Sequence, residues 1–556
     1  MFSHGGIFPQ SLVYVVALLA LVLSTAAQNT SSSVSSRYVP FTSRCPRGSL
    51  VRSARGLSSG EQQYIDRRKR VTSQALSDWL DNINERSNQT TKFSKRNLPT
   101  LALATSGGGY RSMLLGAGFV QALDERDSDD WTNGLYQALT YHSGLSGGAW
   151  LLSSLAGNDQ ETISTLQEEL WENALVKNSL YPTNTETAPE YNAVKADILA
   201  RGRTSFPATT ADVWGRFLSY QLLKGRDGGV TKTLSDIRRS RGFRNHKAPY
   251  PIITALGIPD ITSANCEPAD DATQYEFHPY EFGSWDGGIA AFTPTEYLGT
   301  QVNNGKPVKK DFCTRNYDNL GYILGTSSSK FNEGCGEALI SVIASTLDPL
   351  VKLTHNYTRR DLFAPYANPF RGYPGSPKVS SQSELYLADG GQGKLLSTNQ
   401  NNPIWPFLHR NVDVLLVNDN SADTDDNWPN GTEIIHTYDQ AKAAGLTRMP
   451  FIPDQKTWTE KGLAKRATFF GCGRPDKMTI VFMPNVGYST ESNLASSKFE
   501  YAKNETAAMI KNGAQIALQG GDPEWPSCLS CAILSKATTS LPLVCKGCFE
   551  KHCYNE

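Results

Sequence analysis

Three short stretches hold residue types that could do covalent chemistry. The first is Gly144-Leu145-Ser146-Gly147-Gly148, which follows an apolar run and leads into the helical stretch AWLLSSL. A serine projects its hydroxyl from a tight strand-to-helix turn, and such a turn needs glycine on both sides. The helix beyond it offers backbone N–H groups and the positive end of its dipole to a developing oxyanion. The second is Ser106-Gly107-Gly108-Gly109-Tyr110-Arg111, again between a strand-like run and a helical one. Three consecutive glycines let a backbone approach a ligand closely with its N–H groups. A dinucleotide loop does not fit, because G-x-G-x-x-G fails at Ser112 and no ribose-binding carboxylate follows in a suitable unit. Paired with the downstream serine, an oxyanion hole fits better than a plain tight turn. Arg111 lies in the first helical turn, where the dipole opposes a cation, and this hints at an anionic ligand such as phosphate. The third is Asp389, which ends LYLAD just before Gly390-Gly391. A carboxylate at a strand end in an α/β cleft could act as general base. The same Asp-Gly pair could also simply open a turn.

A sheet has to bring these loops together. Short β-rich runs occur at 98–105, 135–143, 250–258, 385–389, 412–418 and 478–483, with helical stretches such as Tyr110–Leu123 and Ala149–Leu155 between them. That alternation predicts an α/β sheet with helices on both faces. The stretches 156–249 and 259–384 read as insertions with their own helices. Residues 45–97 read as a helical N-terminal segment. There Ser58 and Glu61 form a capping-box pattern, and Val71, Ala75, Leu76, Trp79 and Leu80 recur at helical spacing. The run Arg67-Arg68-Lys69-Arg70 is expected on a solvated face. Residues 224–247 hold eight Lys or Arg, which suits a solvated helix and loop or contact with an anionic lipid surface.

SGGGYRSML, GLSGGAW and LADGG, in that order, resemble the fungal lysophospholipase/phospholipase B family, which is related to the cytosolic phospholipase catalytic domain and to patatin. The likeness extends over roughly 38–550 and includes GSWDGGIAAFTPTEYLGT, NLGYILGTSSSKFN and VDVLLVNDNSADTDDNWPNGT. It implies a three-layer α/β fold around a central mixed sheet, with helical insertions and a Ser–Asp dyad. It further implies Ser146 as nucleophile, Asp389 as base, and Gly107, Gly108 and Gly109 as the oxyanion hole, chiefly the last two. Arg111 would contact the lipid phosphate. Two departures stand out: His142 occupies a strand position where a small or apolar residue is expected, and GGQGKLLSTNQNNP lacks acidic residues after the double glycine. The expected activity is release of fatty acids from phospholipid and lysophospholipid substrates at membrane or micelle surfaces. The runner-up is a Ser-Asp-His lipase, for which His409, His436 and His552 are the histidines after Asp389. A third reading is a lipid-binding glycoprotein with a dead site. Neither a metal ion nor another cofactor is expected.

The chain has 556 residues, and 54 Lys+Arg balance 54 Asp+Glu, which argues against a nucleic-acid partner. Leu12–Leu23 is an apolar run of twelve followed by Ser24-Thr25-Ala26-Ala27. It is too short to span a bilayer and has the form of a secretory signal over 1–27. A flexible Ser-rich leader over 28–44 and a catalytic domain over 45–550 would follow. The polar C-terminus carries no glycolipid-anchor signal, so a secreted protein without a transmembrane segment is expected. Sequons at Asn29, Asn88, Asn356, Asn430 and Asn504 are candidate glycosylation sites. Of ten cysteines, Cys528, Cys531, Cys545, Cys548 and Cys553 crowd the tail over 525–556. Their C-x-x-C spacing is near that of a zinc ribbon, but in an oxidising compartment disulfides are expected instead.

Overall fold

The computed structural model describes residues 37–555, apart from 87–91, 179–188, 263–265, 267, 270–271, 336–346, 348, 392–399 and 538–539. Twelve strands among the described residues form one mixed sheet. In chain order they are β1 (Arg52–Ser53), β2 (Leu101–Thr105), β3 (Leu139–Gly144), β4 (Tyr250–Ile258), β5 (Gln274–Phe277), β6 (Glu281–Ser284), β7 (Ala291–Pro294), β8 (Ala364–Ala367), β9 (Glu384–Ala388), β10 (Val414–Asp419), β11 (Thr468–Phe470) and β12 (Thr479–Pro484). Their spatial order is β11-β12-β10-β2-β3-β4-β5-β6-β7-β1, with β9 on the far end of β4 and β8 beside β9. The central strands β12, β10, β2, β3 and β4 run parallel. β2, β3, β10 and β12 are buried at every position, as expected of parallel strands covered on both faces.

Helices cover the sheet to give a three-layer α/β fold. Those that matter here are α1 (Ser59–Arg86), α2 (Gly109–Leu123), α3 (Gly147–Gly157), α4 (Thr210–Leu222), α5 (Leu320–Ser327), α6 (Lys503–Ala517), α7 (Trp525–Leu534) and α8 (Val544–His552). No helix among the described residues is long and apolar enough to cross a membrane.

All six expected strand runs are strands, with ends shifted by a few residues. The largest shift is at 135–143, where Leu135–Ala138 is a helical turn and the strand starts at Leu139. The stretch 259–384 differs from expectation. It carries its own helix, α5, as expected, but it also contributes β5, β6, β7 and β8, which widen the sheet in antiparallel fashion. These strands have four residues each, and polar side chains mixed into QYEF and EFGS hide the alternation.

The N-terminal expectations need three corrections. The leader is not loose as far as 44: Tyr38 is fully buried and donates its hydroxyl to Asp212 at 2.7 Å. Phe41–Arg44 pairs with Phe312–Arg315, and Cys45 is bonded to Cys313. The expected signal peptide over 1–27 lies outside the described residues. Glu61 does not complete a capping box. Ser58 Oγ accepts the Glu61 N–H, but the Glu61 carboxylate meets Arg410 at 2.7 Å. Arg68 is not solvated; it is fully buried and donates to the carbonyls of Leu139, Gln137 and His246, fastening α1 to the start of β3.

The tail cysteines are disulfides. Cys528 and Cys531 share one face of α7, and Cys545 and Cys548 share one face of α8. The bonds run Cys528–Cys548 and Cys531–Cys545, and Cys553 reaches back to Cys472 beyond β11. With all four C-x-x-C sulfurs so used, no thiolate set remains for zinc among the described residues.

Candidate active site

β2 and β3 lie side by side with Thr105 opposite Gly144, so the loops leaving their ends emerge together. Ser146 sits between β3 and α3 with φ 52° and ψ −119°, a conformation that side chains adopt only under constraint. The constraint is visible in its neighbours. Gly148 N–H donates to the Ser106 carbonyl at 3.1 Å, Trp150 N–H to the Ser146 carbonyl at 2.9 Å, and Ser146 N–H to Ser327 Oγ at 3.0 Å. The turn is therefore tied to the glycine loop, to its own helix and to the end of α5.

Asp389, the candidate base, arrives by a different route. β4 runs parallel to β3 only as far as Ile253, opposite Gly144, and then continues beyond it. Its overhang pairs antiparallel with β9, Leu256 facing Ala388. β9 thus runs back toward the turn and delivers Asp389 at its level. Asp389 is about 1% exposed. Its Oδ1 accepts the Gly391 N–H at 2.8 Å, whereas buried Oδ2 has no partner of good hydrogen-bond geometry. Burial pushes its pKa up; Lys330, the Gly391 amide and the Ser146 hydroxyl act in the opposite sense. The serine is therefore close enough to interact with the carboxylate without forming a fully aligned bond in this state.

Of the three glycines in the loop, Gly107 has its amide committed to the Asn401 carbonyl at 3.1 Å. The amides of Gly108 and Gly109 have no partner among the described residues. Gly108 has φ 140°, which only glycine adopts freely. Asn401, which carries no motif in the sequence, joins the two halves of the site. Its Nδ2 donates to Ser421 Oγ, its N–H approaches Glu433 at 3.3 Å, and its Oδ1 is wedged between the two glycine loops. A Cβ at Gly107 or Gly391 would lie 2.2 Å or 2.4 Å from that oxygen.

Arg111 is engaged by the protein's own backbone. Its guanidinium is buried behind Gly108, with Nε and Nη2 on the Asn420 carbonyl and Nη1 on that of Leu494. Every nitrogen is used by the protein itself, and burial lowers its pKa to about 10. His142 is also buried; its Nε2 is 3.0 Å from Thr105 Oγ1 and burial depresses its pKa to about 3. Among the described residues no histidine bonds Ser146 or Asp389. His409 stacks on Trp285, and His552 meets the Ala467 carbonyl. In the basic stretch 224–247, Lys224 pairs with Glu161 and Glu169, and Arg238 with Glu296. Asn356 and Asn504 are exposed and Asn430 is half-buried, while Asn29 and Asn88 lie outside the described residues.

The comparisons agree with this architecture. The lysophospholipase catalytic domain family matches residues 101–556. Lysophospholipase 1 of Candida albicans is 35% identical over 94% of this chain and 90% of its own length. Lysophospholipase 1 of Saccharomyces cerevisiae is 36% identical over 96% and 86%. Among solved structures, human GIVD cytosolic phospholipase A2 superposes with a TM-score of 0.67 at 17% identity, covering 89% of this chain and 72% of that one. The same human protein in complex with methyl gamma-linolenyl fluorophosphonate gives 0.61 at 18% identity, covering 88% and 67%. By family match and by its curated relatives, the chain belongs to the lysophospholipase family and is a lipid ester hydrolase.

Proposed function

We propose that this chain is a secreted lysophospholipase/phospholipase B that cleaves acyl esters through a Ser146 acyl-enzyme, with Asp389 as general base. The observation that supports it most directly is the convergence of a strained serine and a buried carboxylate with one unpartnered oxygen. Asp389 takes the Ser146 proton as Oγ attacks the ester carbonyl. The oxyanion is held by the Gly108 and Gly109 amides, and the proton passes to the departing glycerol oxygen. Water, deprotonated by the same carboxylate, then releases the fatty acid. Phospholipid and lysophospholipid at membrane or micelle surfaces are the substrates this chemistry suits. Secretion is supported by the apolar run Leu12–Leu23 and by cysteines paired throughout the described residues.

The test is fatty-acid release from a lysophospholipid from pH 3 to 8 by wild type, Ser146→Ala and Asp389→Asn. Both variants should lose several orders of magnitude, about 10⁴-fold or more. Because burial raises the base, the acid limb should lie above the ordinary aspartate value of about 3.9. A limb in that range also overlaps histidine, so Asp389→Asn decides the matter: if that variant stays active, the dyad is rejected. Methyl gamma-linolenyl fluorophosphonate should label wild type and leave Ser146→Ala unlabelled; label taken up by Ser146→Ala would move the nucleophile elsewhere.

A further inference from the structure

The residues Ser327 to Lys330 end α5 and carry straight on past the catalytic turn. Ser327 Oγ accepts the Ser146 N–H at 3.0 Å and donates to the Thr254 carbonyl of β4 at 2.8 Å. Ser328 Oγ lies 3.0 Å from the indole nitrogens of both Trp150 in α3 and Trp214 in α4. The Ser329 carbonyl accepts the Asp389 N–H at 2.9 Å. Lys330 Nζ donates to the Gly391 carbonyl at 2.7 Å. The three serines are buried, whereas the lysine side chain is 44% exposed at the rim. Among the described residues no other segment bonds the backbone of both Ser146 and Asp389.

We propose that Ser327–Lys330 is a positioning segment for the esterase reaction, which sets the separation of Ser146 and Asp389 and clips the loop after the base with Lys330. This rests on the dyad reading above. The two catalytic residues come from β3 and β9, which are not neighbours in the sheet, so their spacing needs a bridge. A bridge one residue long per contact leaves little slack, and an error near 1 Å in such a pair can cost about 100-fold in rate. Lys330 adds an electrostatic role. Among the described residues it is the charged side chain that acts on Asp389, and it favours the ionised base against burial. It also acts on Glu433, and Glu333 approaches it at 4.0 Å.

The experiment compares kcat/KM against pH for wild type, Lys330→Met, Lys330→Arg, Ser327→Ala and Asp389→Asn in the full chain. Lys330→Met should move the acid limb upward by about one pH unit at low salt, and by less as salt screens this half-exposed cation. Lys330→Arg should keep the wild-type limb. Ser327→Ala should lower kcat about tenfold or more with KM within about twofold, since it loosens the turn without touching substrate. Lys330 is at the surface, so its variants report even if Ser327→Ala does not fold. An unmoved limb in Lys330→Met, with Asp389→Asn inactive, would overturn the inference while leaving the dyad standing. An active Asp389→Asn would instead remove the dyad on which the inference depends.

Discussion

Arg111 and Asn401 change places once their surroundings are known. The arginine fits a phosphate ligand by its position at a helix start, yet its guanidinium ends on the carbonyls of Asn420 and Leu494. Releasing it to a phosphate would strip buried carbonyls of their donors, at a cost of about 1–3 kcal/mol each. Arg111→Met should therefore lower stability by roughly 2–4 kcal/mol and reduce kcat/KM equally on a phospholipid and on a phosphate-free ester. Denaturant unfolding and the two substrate series check this. A rise in KM confined to the phospholipid would return Arg111 to the phosphate. Asn401, by contrast, has no signal in the sequence. Its importance comes from contacts with Gly107 and Ser421, separated from it by 294 and 20 residues, and side-chain spacing along the chain cannot reveal such meetings. The glycines are readable because local turn geometry demands them. The polar residue that makes two of them necessary is not.

At the level of elements, legibility follows burial. β2, β4, β10 and β12 are apolar runs because both faces are covered, and each stands out from the sequence within a few residues. The short antiparallel strands β5 to β7 lack that signature, and their partners are fixed only when the sheet edge forms. Arg68 and Glu61 mislead for a related reason: a charge run looks solvated until distant carbonyls and Arg410 are placed beside it. In the α7–α8 pair the sequence points to disulfides but not to their pairing, which follows only once the helices are placed. Two C-x-x-C units on antiparallel helices must join first to last, and Cys528–Cys548 and Cys531–Cys545 do so across separations of 20 and 14 residues. A closed loop of about 15 residues contributes about 3 kcal/mol on the chain-entropy account. Replacing Cys531 and Cys545 together by alanine should lower unfolding free energy by about that amount. It should leave kcat/KM near wild type, because α7 and α8 supply no residue of the site. A large loss of activity in folded variant protein would show that the tail supports the site after all.

The molecule as a whole buries two sets of titratable groups that pull stability in opposite directions. Burial pushes Asp197, Asp286 and Asp318 up to about 6. Burial, reinforced by Asp419, pushes Asp423 up to about 7, and Glu433 is raised by burial and by both aspartates. For a carboxylate raised in the folded state, the unfolded chain gives up its proton first. Stability is therefore full below about 4 and falls as pH rises toward the folded value. The buried histidines behave oppositely. His142 and His278 sit near 3 and His409 near 4, so the unfolded chain gains protons below about 6.5 that the folded chain refuses. Between about 4 and 6 the two sets oppose each other. Above about 6.5 the histidines no longer contribute, and Asp423, held up by burial and by Asp419, continues to titrate. Thermal stability should therefore decline from pH 6.5 to 8, with its maximum on the acid side of neutrality. Asp423→Asn removes the charge of Asp423 and should flatten that decline while changing little near pH 4. Melting curves of both proteins across pH 4 to 8 test it, and a variant whose decline matches wild type would place the alkaline sensitivity elsewhere than at Asp423.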